Sequence, residues 1–184
     1  MKQSANYEAA VTNYEQVITL NSSQSATLRS LYDLALIRIL ERDIYLAFYT
    51  LERIEEIPQE IHSLYQLKLF LNGAVHMMKK KFKEGVESMQ NIDFDKLKEP
   101  MVEILIKSYL GYGHFCLGDI EDALTIYHDL DKHKSLIQGD KYNMYLCKGV
   151  LAGEKQEFEN AILNFDMAKS IFRIKVEPTF YLVV

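Results

Sequence analysis

His114, Cys116, His128 and His133 fall within twenty residues of one another, and imidazole and thiolate are the usual ligands of a zinc-type site. Two such ligands on one helix converge when they stand four residues apart. His128 and His133 are five apart, which swings the second ring about 140° from the first on an ideal helix. No third ligand stands at a fixed spacing, so no metal is expected. His114 is expected instead to pack between the two helices of its own hairpin. Catalysis finds no firmer footing. The chain holds no nucleophile elbow, phosphate loop, dinucleotide fingerprint or paired-cysteine motif. Gly111-Tyr112-Gly113 falls inside a helical pattern rather than after a strand, and Glu55, Glu56 and Glu60 sit at a helix end and in a loop, where solvation accounts for them. The expectation is a protein with no catalytic residue, no cofactor and no enzymatic step. An enzyme built on the corner of His114, His128 and His133 is the alternative it displaces.

Lys79, Lys80, Lys81 and Lys83 form the notable charge run. A helix C-terminus welcomes cations at its unpaired carbonyls, and Glu84 and Glu87 follow closely enough to balance the cluster. A docking patch for an acidic or phosphorylated segment is the competing use. The neighbouring glutamates favour the structural one.

The elements that carry these residues read as helices. Of 184 residues, 48% are hydrophobic and only eight are glycine and three proline, which argues against disorder and against a turn-rich β protein. A net charge of −5 without a basic stripe excludes nucleic acid as the main partner. Cys116 and Cys147 are too few and too far apart for a disulfide framework or a cysteine zinc site. As free thiols inside helices they point to a reducing, intracellular setting, the cytoplasm first and the nucleus second. The opening residues are mostly polar with no apolar signal segment after them, and no apolar run reaches the length of a membrane span.

Small residues set the architecture. Ala35, Gly73, Gly111 and Gly149 stand thirty-eight residues apart, and Ala47, Gly85, Ala123 and Ala161 repeat that spacing at a second phase. Such recurrence means that one supersecondary unit is stacked on copies of itself, with tight contacts at the same two places in each. The fourth copy shows the unit. Leu105, Ile106, Tyr109, Leu110, Gly113 and Phe115 lie at helical spacing over residues 104–117. Gly118 then ends the helix and Asp119 caps the next. Glu121 and Asp122 occupy its first turn, and Ala123, Ile126, Tyr127 and Leu130 carry it to a polar break at 131–135.

The run Leu110-Gly111, His114, Gly118-Asp119-Ile120, Ala123, Tyr127 and Leu130 resembles the tetratricopeptide repeat. The other copies are similar: Tyr7, Ala10, Tyr14 and Val17 in a half-unit; Leu31, Ala35, Ile44, Ala47, Leu51, Ile54 and Pro58; Leu69, Gly73, Phe82, Gly85, Met89 and Ile92; Tyr145, Gly149, Phe158, Ala161, Phe165 and Ala168. The period is four residues longer than the family's thirty-four, and the aromatic at the fourth position of the first helix gives way to Leu31, Leu69 and Lys107, with Tyr145 keeping it.

The resemblance implies an all-α, right-handed superhelical solenoid of about nine antiparallel helices. Its expected units are a half-repeat at 5–22, repeats at about 26–60, 62–98, 101–135 and 139–174, and the start of a further helix at 178–184, where Phe180 to Val184 is apolar. It also implies that small residues of the first phase lie between the two helices of a unit, and those of the second phase between one unit and the next. In that family the first helix of each pair lines a concave groove. Carried across, this places Arg29, Tyr32, Leu36, Leu67, Phe70, Met77, Met78, Leu105, Tyr112, Phe115 and Leu146 on a partner-binding surface, beside Ile39, Leu40, Ala74, Ser108, Cys116, Asn143 and Val150. The family's carboxylate clamp is absent from these positions. A face so apolar calls for a cover. The expected function is a protein–protein interaction scaffold or adaptor that takes an apolar helix or extended segment of a partner. The alternative is a self-associating, homodimeric subunit of an assembly of the anaphase-promoting or intraflagellar-transport type.

Overall fold

The computed structural model describes residues 2–20, 23–41, 43–53, 62–97, 99–134 and 137–173. Every regular element among them is a helix: α1 (Lys2–Leu20), α2 (Gln24–Leu40), α3 (Ile44–Glu52), α4 (His62–Met78), α5 (Phe82–Gln90), α6 (Phe94–Leu97), α7 (Pro100–Leu117), α8 (Ile120–Lys132), α9 (Gln138–Glu154) and α10 (Phe158–Arg173). The protein is all-α. Ile54, Glu55, Glu56, Pro58, Glu60 and the apolar stretch at 178–184 lie outside the described residues, as does the side chain of Tyr7. Among the described residues no helix is long and apolar enough to cross a membrane. The single turn α6 closes the third expected repeat, where a loop is expected.

Pairs α2/α3, α4/α5, α7/α8 and α9/α10 fold back on themselves through turns of two or three residues, and the repeat reaches down to backbone hydrogen bonds. Asp43 N–H donates to Arg38 O, Lys81 to His76 O, Asp119 to His114 O and Glu157 to Ala152 O, at 2.9, 2.9, 2.9 and 2.8 Å. Each bond closes a helix end across five residues, and each stands thirty-eight residues after the one before. The next helix begins identically, with Ala47, Gly85, Ala123 and Ala161 N–H donating to the residue four earlier. The turn requires a left-handed residue. Gly118 supplies it at φ 87°, while Lys80 and Gln156 adopt φ 60° and 61° at the equivalent positions.

Side chains bear out the first small-residue phase at its glycines and correct the second at Gly85. A Cβ on Gly73 would meet Met89 Cγ at 2.7 Å, one on Gly111 the Tyr127 ring at 2.8 Å, and one on Gly149 the Phe165 ring at 2.5 Å. In each pair a bulky residue of the second helix fills the hollow left by a glycine of the first. Gly85 does not face the next repeat, because its nearest neighbours are Met77 and the Gly73 carbonyl of its own pair. The close approach between repeats falls on Gly113, whose Cβ would lie 2.6 Å from both Met77 Cε and Val86 Cγ2. One core runs from α1 to α7, and a smaller cluster of Ala123, Tyr127, Leu130, Met144 and Cys147 joins α8 to α9.

Capping differs from expectation in one place. Ser23 and Asp43 cap α2 and α3 through side-chain oxygens accepting from Ala26 N–H and Leu46 N–H. Asp119 stands at the N-cap of α8 without a side-chain cap bond, its carboxylate lying 3.3 Å from His114 Nδ1 instead.

Candidate protein-binding surface

The first helix of each pair holds the eleven residues assigned to a groove, and the fold separates them. Arg29 is exposed, and Tyr32, Leu36, Met78, Leu105, Tyr112, Phe115 and Leu146 are half-buried. Leu67 and Phe70 are 0% exposed and Met77 is 1% exposed, so all three are core residues that line no open surface. The cause is direct packing between first helices. Phe70 of α4 meets Tyr109 of α7 edge to face at 5.7 Å. Met77 is threaded between Gly85 of its own pair and Gly113 of the next. Glycine at both places lets the thioether enter, and the trough closes over the third repeat. Ile39, Ala74 and Ser108 are buried with them.

The half-buried set lies on either side of that closure. Tyr32 of α2 donates its hydroxyl to Glu99 Oε1 at 3.5 Å, reaching past the start of α4 to the residue that precedes α7. Burial, then the Glu99 charge, pushes its hydroxyl up to about 12. Tyr112 packs edge to face on Phe82 at 6.0 Å and contacts Cys116, and burial first raises its hydroxyl to about 12. Both phenols stay neutral and serve as amphipathic contact surface. Phe115 packs on the α8–α9 cluster, and Leu36 and Leu105 pack on the main core. Lys107, where the resembled family holds an aromatic, joins Asp129 at 2.9 Å and Glu103 at 3.0 Å and ties α7 to α8.

The metal-ligating residues do not converge. His128 is exposed, and His133 Nε2 lies 3.6 Å from Asp129 Oδ1. His114 is buried and contacts both its own pair and the preceding one. Its Nε2 faces the Gln90 amide nitrogen at 3.3 Å, on α5 of the preceding pair, while Nδ1 faces Asp119. An amide nitrogen can only donate, so Nε2 accepts and Nδ1 carries the proton. The ring bonds one repeat to the next. Lys79, Lys80, Lys81 and Lys83 are exposed around the α4–α5 turn, with Lys83 4.0 Å from Glu87.

Two features escaped the sequence. Asp140, at the start of α9, is 4% exposed and accepts from Ser108 of α7 at 2.9 Å. Burial raises its carboxyl to about 6, against the Ser108 and Ile137 N–H hydrogen bonds. Near it lies the buried Tyr127 hydroxyl, whose pKa burial raises well above the usual value, the Asp140 charge adding to that and the Asn143 side chain opposing it. The second feature is a set of exposed apolar side chains on second helices: Tyr45, Leu46 and Tyr49 on α3, and Phe158, Ile162, Leu163, Phe165 and Met167 on α10. Helical periodicity marks such residues as apolar but cannot tell a covered face from an open one. Comparison of the chain with protein-family models, with curated proteins and with solved structures finds no match.

Proposed function

We propose that the chain is a protein-interaction scaffold of tetratricopeptide-like helix pairs, built as a superhelical solenoid and carrying no catalytic step. Its setting is intracellular, and its partner offers an apolar helix or extended segment to the half-buried residues of the first helices. The observation that carries this reading is the helix hairpin repeated four times at one spacing, down to the same closing hydrogen bond at Asp43, Lys81, Asp119 and Glu157. Stacked identical hairpins produce a long surface rather than a pocket, and long surfaces bind chains. Half-buried Tyr32, Tyr112 and Phe115 suit that use, since aromatic anchors lose little conformational freedom on binding.

The test is affinity capture by the full chain compared with Leu36→Asp and Leu146→Asp variants. Proteins retained by the parent should be lost from both variants while the helical circular dichroism signal persists. An identical retained set for all three would sink the reading. Phe70→Ala serves as a control, expected to lower stability by about 3–5 kcal/mol through a core cavity without altering which proteins are retained.

A further inference from the structure

The outward face of α10 differs from its counterparts in the earlier repeats. Phe165, Tyr127, Met89 and Leu51 share one phase of the thirty-eight-residue spacing. Tyr127, Met89 and Leu51 are at most 1% exposed, whereas Phe165 is 41% exposed. Val86 is 4% exposed where Ile162 is 62%, and Ile44 is 6% where Phe158 is 65%. In the earlier copies Val86 is covered where Gly113 of the next pair approaches it, Met89 and Tyr127 are held against glycines of their own pairs, and Phe48, Leu124, Phe82 and Ile120 at the remaining equivalent positions are half-buried. On α10 Phe158 and Ile162 stay exposed and Phe165 is open on one side, its ring otherwise set against Gly149 of α9, while Ala161 and Ala168 are buried.

At about 100° per residue, Phe158, Ile162, Phe165 and Lys169 form one stripe, with Glu159 and Asp166 along its edge. The stripe is self-complementary in one orientation. Two α10 helices laid antiparallel about a two-fold axis near residues 163–164 set Ile162 of each copy against Phe165 of the other. The same arrangement brings Lys169 of each copy over Phe158 and Glu159 of the other, where Glu159 and Lys169 are both exposed and of opposite charge. A parallel pairing would stack Glu159 on Glu159. Among the described residues the exposed side of α1 is mostly polar, with Glu8, Thr12, Asn13, Gln16 and Thr19, and Leu20 at its end is its one exposed large apolar side chain. Head-to-tail stacking is therefore disfavoured and an isologous contact favoured.

We propose that the outward face of α10 is a homodimer interface, in which a second copy of this chain covers Phe158, Ile162 and Phe165. The contact stands apart from the first-helix surface, and the two fail independently.

Sedimentation of the full chain from about 1 to about 100 µM should show a reversible dimer, because a self-complementary apolar stripe gives concentration-dependent association. Ile162→Glu buries a charge twice across the axis and should raise the dimer dissociation constant on the order of 100-fold. Glu159→Lys and Lys169→Glu should each weaken the dimer, and the double exchange should restore it. That rescue also decides the matter if Ile162→Glu fails to fold. A monomer at every concentration overturns the proposal, whether the face is then held by the chain's own residues beyond Arg173 or by a foreign partner. So does a dimer indifferent to both sets of substitutions.

Discussion

A methyl group added at Gly111 would fall 2.8 Å from Cε1 and Cζ of Tyr127 and 3.2 Å from its hydroxyl. The Tyr127 ring is 0% exposed and has nowhere to withdraw. Overpacking of this kind costs about 1–3 kcal/mol, while exchanging glycine for alanine in a helix returns up to about 1 kcal/mol of propensity. Gly111→Ala should therefore destabilise by about 1–2 kcal/mol net, a fall of several degrees in a chain of this size. Gly153 provides the matched control. It lies within α9, and a Cβ there would meet nothing within 4 Å, so Gly153→Ala should gain about 0.5–1 kcal/mol. Urea denaturation followed by circular dichroism reads both, and the two midpoints should move in opposite directions with unchanged slope. Tyr127→Met, which copies the Gly73–Met89 pair, should then tolerate Gly111→Ala better than the parent does, and a double-mutant cycle measures that coupling. Equal stabilisation by the two glycine substitutions would refute the account of Gly111 as a hollow made for Tyr127.

Lys80→Gly and Gln156→Gly should each leave stability unchanged or raise it by about 0.5 kcal/mol, because relief of the left-handed backbone outweighs the added freedom of the unfolded chain. Gly118→Ala should lower it by about 1 kcal/mol although its Cβ would touch nothing; chemical denaturation of the three variants checks the set. Asp140 has a folded carboxyl near 6, above the value of about 3.9 expected unfolded. The ionised form is thus the one that folding disfavours. Its cost, about 3 kcal/mol at most, is present in full above pH 6 and disappears as pH falls through 6 towards 4. Asp140→Asn should accordingly stabilise the protein at pH 8 and lose that advantage by pH 4, as melting temperatures across the range would show. The Ser108 hydroxyl, with one proton and both Ile104 O at 3.0 Å and Asp140 Oδ2 at 2.9 Å to serve, can satisfy both only when Asp140 is protonated.

The hairpins were legible because they are local. The glycine spacing announced a close approach within each hairpin, and the structure supplied the residue that fills it: Met89 against Gly73, Tyr127 against Gly111 and Phe165 against Gly149, each sixteen residues on. Gly118 announced its turn because glycine accepts a left-handed backbone without strain. Lys80 and Gln156 hid the same turn, since nothing in their side chains records the conformation that the neighbouring helices impose. The surface was less legible. Leu67, Phe70 and Met77 carry the apolar pattern of a first helix whether they face a partner or the next repeat.

The sequence by itself determined helix, hairpin and repeat, because these depend on which residues lie within about one period of each other along the chain. Tertiary structure decided which apolar faces are closed. The close packing of α7 on α4, with Gly113 admitting Met77 and Phe70 meeting Tyr109, turned three groove residues into core. On α10 Phe158 and Ile162 are 65% and 62% exposed, where Ile44 and Val86 at equivalent positions are 6% and 4%. Burial is a property of whatever lies across from a side chain, and periodicity within one helix carries no record of it.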